Sequence, residues 1–287
     1  MNYSAGDAYL LAKVSDDHEI CGRLYLQTCE LFAAQFLSED AKNKFFNSVF
    51  ASMHKLTATK YHLKNYERIE RQQYEYWRRR FRRHRPDDGA AYDTSEAFEL
   101  IFELDAFLVQ VKSSLDMLVK LLDSTLGQNI VSTHTYGDKG EKVIKGLEQY
   151  KKKDGVRSRV VDELVRMIRE DKDLWLGKAV SLRDELTHVN ALRGYQFEPL
   201  QLPNGEISAK KPSFRGQETV PLMRLIYQNN VEFHQDFMCL TLALKAPPVL
   251  ELAEIERESS RKRHGNVPSA EYVKWGWRAC INPPLST

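Results

Sequence analysis

The sequence lacks the cysteine pattern of a disulfide-bonded or zinc-binding protein. Its 287 residues include four cysteines, which are scattered along the chain and form no C-x-x-C pair. Scattered cysteines fit reduced thiols in a cytosolic compartment, so we expect neither a disulfide framework nor a structural metal site. The four are Cys21, Cys29, Cys239 and Cys280.

Two kinds of apolar segment are also missing. The N-terminus carries Asp7 before any apolar run, which argues against an export signal. The most apolar stretch, 237–252, is interrupted by Lys245, Pro247 and Pro248. It is shorter than the roughly 20 uninterrupted residues of a membrane helix. The sequence therefore predicts a cytoplasmic protein without a membrane segment.

The charge is nearly balanced and the common catalytic motifs are absent. A net charge of only +2 does not identify a polyanion partner, so only the distribution of charge can do so. The chain has no glycine-rich phosphate loop and no G-x-S-x-G elbow, which leaves an NTPase or an acyl hydrolase without support. The histidines share no metal-ligand spacing along the chain. We expect no metal and no other cofactor.

Helical patterning dominates what is present. Proline is absent from the first 85 residues, where apolar side chains recur at spacings of three and four. The last helix of this region is predicted to stop at the turn residues Pro86–Gly89. We therefore expect an N-terminal helical region over 1–89, a second helical domain over 90–250 and a C-terminal tail over 251–287. The tail is predicted to be irregular from Arg261 onward.

The second domain is predicted to begin with a long helix. Asp93 followed by Glu96 resembles a capping box, and Gly127 is placed as a left-handed C-terminal cap. Residues 128–155 are rich in Gly, Lys and Thr and predict a mobile connection that holds one short helix. The long helix is expected to bury one stripe of side chains, namely Phe98, Ile101, Leu104 or Asp105, Leu108, Val111, Leu115, Leu118 and Leu122.

The rest of this domain is predicted to be helical with one small interruption. Turn residues around Asn204 predict a β-hairpin insertion at about 195–212. The sequence thus predicts an all-α fold, an antiparallel helical bundle with an N-terminal helical extension and a small hairpin insertion. The helices after residue 128 are expected over 143–150, 160–168, 175–192 and 218–244.

The helix predicted over 175–192 has one apolar and one polar side. On a helical wheel Leu182, Leu186 and Val189 lie together. The polar side chains fan across the opposite side, and Asp184 lies four residues before His188, close enough for its carboxylate to orient the imidazole. The polar set is Arg183, Asp184, Thr187 and His188.

These residue types suit RNA cleavage by attack of a 2′-hydroxyl on the adjacent phosphate. That reaction needs proton transfer, which His188 could supply, and stabilisation of the charged phosphorane, which Arg183 could supply. One helix carries one such histidine, so two copies meeting across a two-fold axis would place two sets around one phosphate. The bare spacing also occurs by chance, as in Arg79 and His84, and the alternative is an ordinary solvated helix face.

The stretch Arg183-Asp184-Glu185-Leu186-Thr187-His188 resembles the hallmark of the HEPN superfamily, an arginine, a polar residue and a histidine with four to six positions between the ends. The resemblance covers about residues 93–244, with Leu115-Asp116-Met117-Leu118 similar to part of the first core helix. It implies a HEPN-like bundle and a metal-independent endoribonuclease that acts as a homodimer in toxin–antitoxin or anti-phage defence systems. Arg183 and His188 would form the active-site pair, with Asp184 in support.

The strongest local charge signal lies at the end of the N-terminal region, over 68–85, where eight arginines alternate with aromatic residues. Such a segment could grip RNA phosphates and stack bases. Tyr74, Trp77 and Phe81 also sit at core spacing, so a solvated face or a protein docking surface is the alternative. A non-catalytic RNA-binding or protein-interaction module is therefore the second functional interpretation. The predicted RNA-binding residues are Arg78, Arg79, Arg82 and Arg83.

Overall fold

The structure is a computed structural model that describes seven ranges of the chain. They are 37–83, 97–153, 156–188, 195–214, 216–245, 250–256 and 275–281. The side chains at 138, 187 and 188 and in the last two ranges lie outside this description. Helices account for 76% of the residues described, which confirms the predicted all-α class.

The first helix, α1, spans Glu39–Arg83 and is 45 residues long. Its core-facing side chains recur at helical spacing through Phe45, Val49, Leu56 and Leu63, all of them buried. Trp77 and Phe81 are buried as their spacing predicted. Residues 1–36 and the predicted stop at Pro86–Gly89 lie outside the described residues.

The second helix, α2, spans Phe98–Leu126 and runs antiparallel to α1. It begins with Ala97 in the N-cap position, and Asp93 and Glu96 lie outside the described residues. Gly127 ends the helix with φ 66°, which confirms the predicted left-handed cap. The predicted stripe is buried from Leu104 onward, but Phe98 is exposed and so is wrongly placed in it.

The connection after α2 is packed, so the prediction of a mobile segment over 128–155 is wrong for much of its length. Val131 and Tyr136 are buried. The Asp123 carboxylate accepts the Ile130 backbone N–H at 2.6 Å, and the Asp116 carboxylate accepts that of Tyr136 at 2.8 Å. A short 3₁₀ turn, Asp138–Gly140, leads into α3, Glu141–Tyr150, which confirms the predicted short helix.

The next helices, α4 at Ser158–Asp171 and α5 at Gly177–His188, are joined by a π-helical segment, Lys172–Leu176. The backbone stays helical across both joins, because Asp171 and Gly177 have right-handed helical angles. Wide π turns of this kind are often found at functional sites. Two predicted helices therefore form one nearly continuous rod with a local bulge.

Within the seven described ranges, three antiparallel strand pairs accompany the helices. The predicted hairpin is confirmed as β1, Glu198–Gln201, paired with β2, Ile207–Lys210. Two short strands follow, β3 at Ser213–Phe214 and β4 at Gln217–Glu218. The C-terminal pair is β5, Leu250–Glu256, with β6, Trp275–Ile281. The expectation of an irregular tail is therefore wrong at β6.

The last helix, α6, spans Thr219–Ala243 and lies in the middle of the molecule. It contacts α1, α2, α4 and both strands of the C-terminal pair, so both its polar and its apolar side chains are buried. Phe233 has Tyr136, Trp175 and Phe237 as ring neighbours at centroid distances of 5.8 to 6.1 Å. This aromatic cluster ties α6 to the α2–α3 connection and to the π segment. In the described part of the chain, no helix is both long and apolar enough to cross a membrane.

Candidate functional site

Helix α5 presents Arg183 and Asp184 to the surface. Ala179 and Leu182 are buried and Leu186 is partly buried against the core. Because these three residues recur at spacings of three and four, they fix which side of the helix faces inward. The side chain of Arg183 is 34% exposed and that of Asp184 is 48% exposed. Arg183 therefore lies at the edge of the buried side, and Asp184 lies toward the opposite side, which faces solvent.

Arg183 and Asp184 form an ion pair. The Arg183 Nη1 group donates to Asp184 Oδ1 at 3.0 Å. The described partner of Asp184 is thus the neighbouring arginine, whereas the sequence suggested His188. The backbone of His188 closes α5, and its side chain lies outside the described residues. The structure therefore places all three predicted catalytic residues on one helix and gives the contact of two of them.

A cavity of about 540 Å³ lies beside α5. Lysines reach it from three elements: Lys139 from the 3₁₀ turn, Lys172 from the π segment and Lys178 from α5. Sequence analysis missed this lysine cavity, because the three residues are spread over 40 positions of ordinary lysine-rich sequence. Its other described lining residues are Asp173, Gly177, Ser181, Leu182, Glu185, Phe214, Gln217 and Leu222.

Two of the four predicted RNA-binding arginines are held by carboxylates. Arg78 pairs with Glu75 on the same helix at 3.4 Å. Arg82 pairs with Glu206, which lies just before β2. The hairpin thus braces the end of α1, and the charges of Arg78 and Arg82 are largely compensated.

The other two predicted arginines, Arg79 and Arg83, line a groove of about 380 Å³ together with Tyr76 and Arg80. Tyr76 is 54% exposed, and Arg80 donates to its hydroxyl at 3.1 Å while lying over the ring of Trp77. We call this set the arginine groove. It combines three positive charges with an exposed aromatic ring, the pairing of groups that single-stranded nucleic acid requires.

A buried hydroxyl chain ties α1 to the segment that follows α5. The hydroxyls of Tyr66 and Tyr195 contact one another, and that of Tyr195 lies 2.5 Å from Thr219 Oγ1. Burial raises the pKa of Tyr66 far above its usual value and raises the pKa of Tyr195 to about 12. Both phenols are therefore neutral at ordinary pH and serve as hydrogen-bonding links between helices.

A contact between an aspartate and a histidine, residue types common in functional sites, lies at the C-terminal end of α2. The mostly buried Asp123 contacts His134 Nδ1 through its Oδ2 atom at 3.0 Å. His134 has a left-handed backbone, φ 49°, and lines a polar groove of about 610 Å³. The pair carries no sequence signal, because its members lie eleven positions apart, one on α2 and the other in the connection that follows.

Neither a metal-type cluster among the described residues nor a known relative assigns a function to the chain. Among the described residues, no three His, Cys, Asp or Glu side chains come together as a candidate metal site. Comparison with models of protein families, with curated proteins and with solved structures found no match for this chain. The functional assignment therefore depends on the residues and their geometry.

Proposed function

We propose that the chain is a metal-independent endoribonuclease of HEPN type, with a HEPN-like bundle built around α2, α5 and α6. The observation that carries the proposal is the ion pair of Arg183 and Asp184 on the accessible edge of α5, in the stretch that ends at His188. An arginine placed there can bind an incoming phosphate without disturbing the core. The pairing with Asp184 orients the guanidinium before RNA binds.

Arg183 and His188, at the two ends of this stretch, would have different roles in RNA cleavage. Arg183 would bind a non-bridging phosphate oxygen and stabilise the charge that develops on the phosphorane. His188 would take the proton of the 2′-hydroxyl as the bond between O2′ and phosphorus forms. The bond from phosphorus to O5′ then breaks, and O5′ takes a proton. The products are a 2′,3′-cyclic phosphate and a 5′-hydroxyl.

The second proton transfer calls for a second acid, and the stretch has one histidine per chain. We propose that a partner copy supplies it, so the active species is a homodimer with a composite site. An RNA-cleaving dimer of this kind would act in the cytoplasm as a toxin or an anti-phage defence effector. An antitoxin or a defence-system partner protein would then restrain it.

The assay that tests the proposal uses purified protein, mixed RNA and a chelator. We expect cleavage to continue in EDTA and to leave 2′,3′-cyclic phosphate and 5′-hydroxyl ends, because the mechanism uses only side chains. End-group analysis by mass spectrometry distinguishes these from 3′-hydroxyl and 5′-phosphate ends. Products of the second kind, or cleavage that stops in EDTA, would refute the mechanism.

The alternative function is RNA binding without cleavage, and one observation favours it. The arginine groove has its charge and exposed ring whether or not α5 is catalytic. An RNA that binds tightly and emerges uncut from the chelator assay would support this reading. In both functions the groove positions RNA through its phosphates.

We predict that the arginines of the arginine groove contribute more to RNA affinity than the neighbouring arginines on α1 do. Replacing Arg79 and Arg83 together by Gln should lower RNA affinity by at least roughly tenfold at low salt, because two phosphate contacts are lost. The slope of log affinity against log salt should fall by about 1.4, since each contact to a single strand contributes about 0.7. Fluorescence anisotropy over a salt series measures both quantities.

The matched control replaces Arg78 and Arg82 by Gln. It removes the same number of charges from the same helix, but these two are already paired with Glu75 and Glu206. We expect a much smaller change in affinity and in slope. Equal losses in the two double variants would show that the groove has no special role, and no loss in either would favour the docking or solvated-face reading.

A further inference from the structure

The lysine cavity is larger than the arginine groove, at about 540 against 380 Å³, and its lining has both a charged and an apolar part. Lys139 Nζ donates to Ser181 Oγ at 3.0 Å. This hydroxyl is neutral, so it fixes the ammonium group without cancelling its charge. Lys172 is compensated by Glu141 at 2.6 Å, and Lys178 makes no hydrogen bond or ion pair with the described residues. Two positive charges are therefore available at the rim.

The backbone around the cavity holds this arrangement in place. Lys139 adopts a left-handed conformation, φ 54° and ψ 33°, which is unfavourable for a residue with a Cβ atom. On the facing wall, the Gly177 N–H donates to the Lys172 carbonyl five residues back, which is the π hydrogen bond. A Cβ atom at Gly177 would lie 2.7 Å from that carbonyl oxygen. The π turn therefore requires glycine, and it brings Lys172 and Asp173 onto the same wall as Lys178 and Ser181.

The apolar part of the lining comes from three elements. Leu182 on α5, Phe214 on β3 and Leu222 on α6 contribute it, and the Gln217 side chain adds an amide donor and acceptor. With Asp173 and Glu185 counted, the formal charge of the described lining is +1, and it is zero when Lys172 is offset by Glu141. A volume of about 540 Å³ is within the range of small-molecule sites.

We propose that the lysine cavity binds a phosphomonoester, with its phosphate between Lys139 and Lys178 and its organic part against Phe214 and Leu222. Ammonium groups bind phosphate as point charges, and an aromatic ring favours a flat organic group such as a nucleobase. The phosphomonoester comes either from a free nucleotide or from the 5′-phosphorylated end of an RNA. Binding here is independent of cleavage on α5.

The first experiment compares phosphorylated probes with matched probes that lack the phosphate. Isothermal titration calorimetry is run on the full chain with AMP and adenosine, and with one short RNA carrying either a 5′-phosphate or a 5′-hydroxyl. We expect the phosphorylated member of at least one pair to bind roughly tenfold tighter or more. A preference in the AMP pair identifies a free nucleotide as ligand, and a preference in the RNA pair alone identifies the RNA end. No preference in either pair overturns the proposal.

The second experiment assigns the binding to the cavity. Lys139→Ala and Lys178→Ala should each weaken binding of the phosphorylated probe by roughly tenfold. Lys152→Ala removes an exposed lysine just after α3 and should change nothing. Binding equal to wild type in both cavity variants overturns the proposal.

A third variant separates loss of the ligand from loss of the fold. Lys139→Gly removes the ammonium group but suits the left-handed backbone, so the variant should melt no lower than the wild type and still lose binding. His134→Gly makes the same backbone change at another left-handed position and should keep binding. Full binding in Lys139→Gly would contradict the assigned role of Lys139.

Discussion

Arg183→Ala and His188→Ala should each lower the rate of RNA cleavage by at least roughly a hundredfold. The first variant removes the cation that stabilises the phosphorane, and the second removes the group that moves the proton. Arg183 lies on the accessible edge of α5, so its truncation takes little volume from the core. Rates are measured under single-turnover conditions with a fluorescent RNA, and melting curves check that both variants are folded.

The matched control is Arg169→Ala on α4, because Arg169 is also a helix arginine paired with a carboxylate, Glu148, at 2.9 Å. Its cleavage rate should equal that of the wild type. Mixing the two inactive variants tests the composite site, because a mixed dimer has one intact Arg183 and one intact His188, enough for the first proton transfer although the second histidine is missing. Partial recovery of activity would support sharing between subunits, whereas full activity in either single variant would exclude the mechanism.

Stability should fall steeply when the pH drops from 6.5 to 4, because of one buried histidine on α6. His234 is fully buried, and its two ring nitrogens lie 2.7 Å from the Asn230 carbonyl oxygen and 3.1 Å from that of Ser114. Burial lowers its pKa to about 4, outweighing the hydrogen bonds, which raise the pKa. The folded chain therefore keeps this imidazole neutral at pH values where the unfolded chain protonates it.

The sign and size of the effect follow from this difference in pKa. The unfolded histidine takes up a proton near pH 6.5 and the folded one near pH 4, so the contribution is intact above pH 6.5 and declines below it. A shift from 6.5 to about 4 corresponds to roughly 3 kcal/mol lost by pH 4. Urea unfolding at pH 7, 5.5 and 4 measures the change in the free energy of unfolding.

Replacing His234 separates its contribution to the pH dependence of stability from that of the carboxylates, which titrate in the same pH range. His234→Gln cannot take up the proton, so it should lose about 3 kcal/mol less than the wild type between pH 7 and pH 4. His54→Gln, at an exposed position on α1, should follow the wild-type curve. Parallel curves for His234→Gln and the wild type would show that His234 does not set the acid sensitivity.

The helices with clear apolar spacing could be predicted from the sequence. The α1 and α2 stripes, the Gly127 cap and the hairpin around Asn204 all arise from local rules of periodicity and turn chemistry. The burial of α6 could not be predicted in this way. Its polar run, Gln228–Asp236, resembles a solvated face, yet helices and strands distant in the sequence surround it. Ser114, whose hydroxyl and carbonyl serve Asn230 and His234, is more than a hundred positions away.

The candidate site residues also fall into two groups. Some lie close together in the sequence, and others are brought together by parts of the chain that are far apart in the sequence. The order Arg183, Asp184, His188 is visible in the sequence because it lies within two turns of one helix. The neutralisation of Arg82 by Glu206 depends on a hairpin more than a hundred residues later. The lysine cavity takes its lysines from the 3₁₀ turn, the π segment and α5, and hydrophobic periodicity does not signal π turns. Sequence therefore predicted the residues on one helix and missed the sites that several elements build together.

The length of α1 has a geometrical consequence for the arginine groove at its end. It is one continuous helix of 45 residues, about 68 Å long, and each residue is rotated by about 100° around the helix axis from the one before. Glu67 joins α1 to α6 by accepting a hydrogen bond from Arg224 at 2.6 Å. One residue inserted between Glu67 and Tyr76 would lengthen the helix by only about 1.5 Å but would turn the groove, together with the buried Trp77 and Phe81, by about 100° around its axis. The direction in which the groove faces thus depends on the number of residues between Glu67 and Tyr76, and an insertion of about seven, two full turns, would restore it.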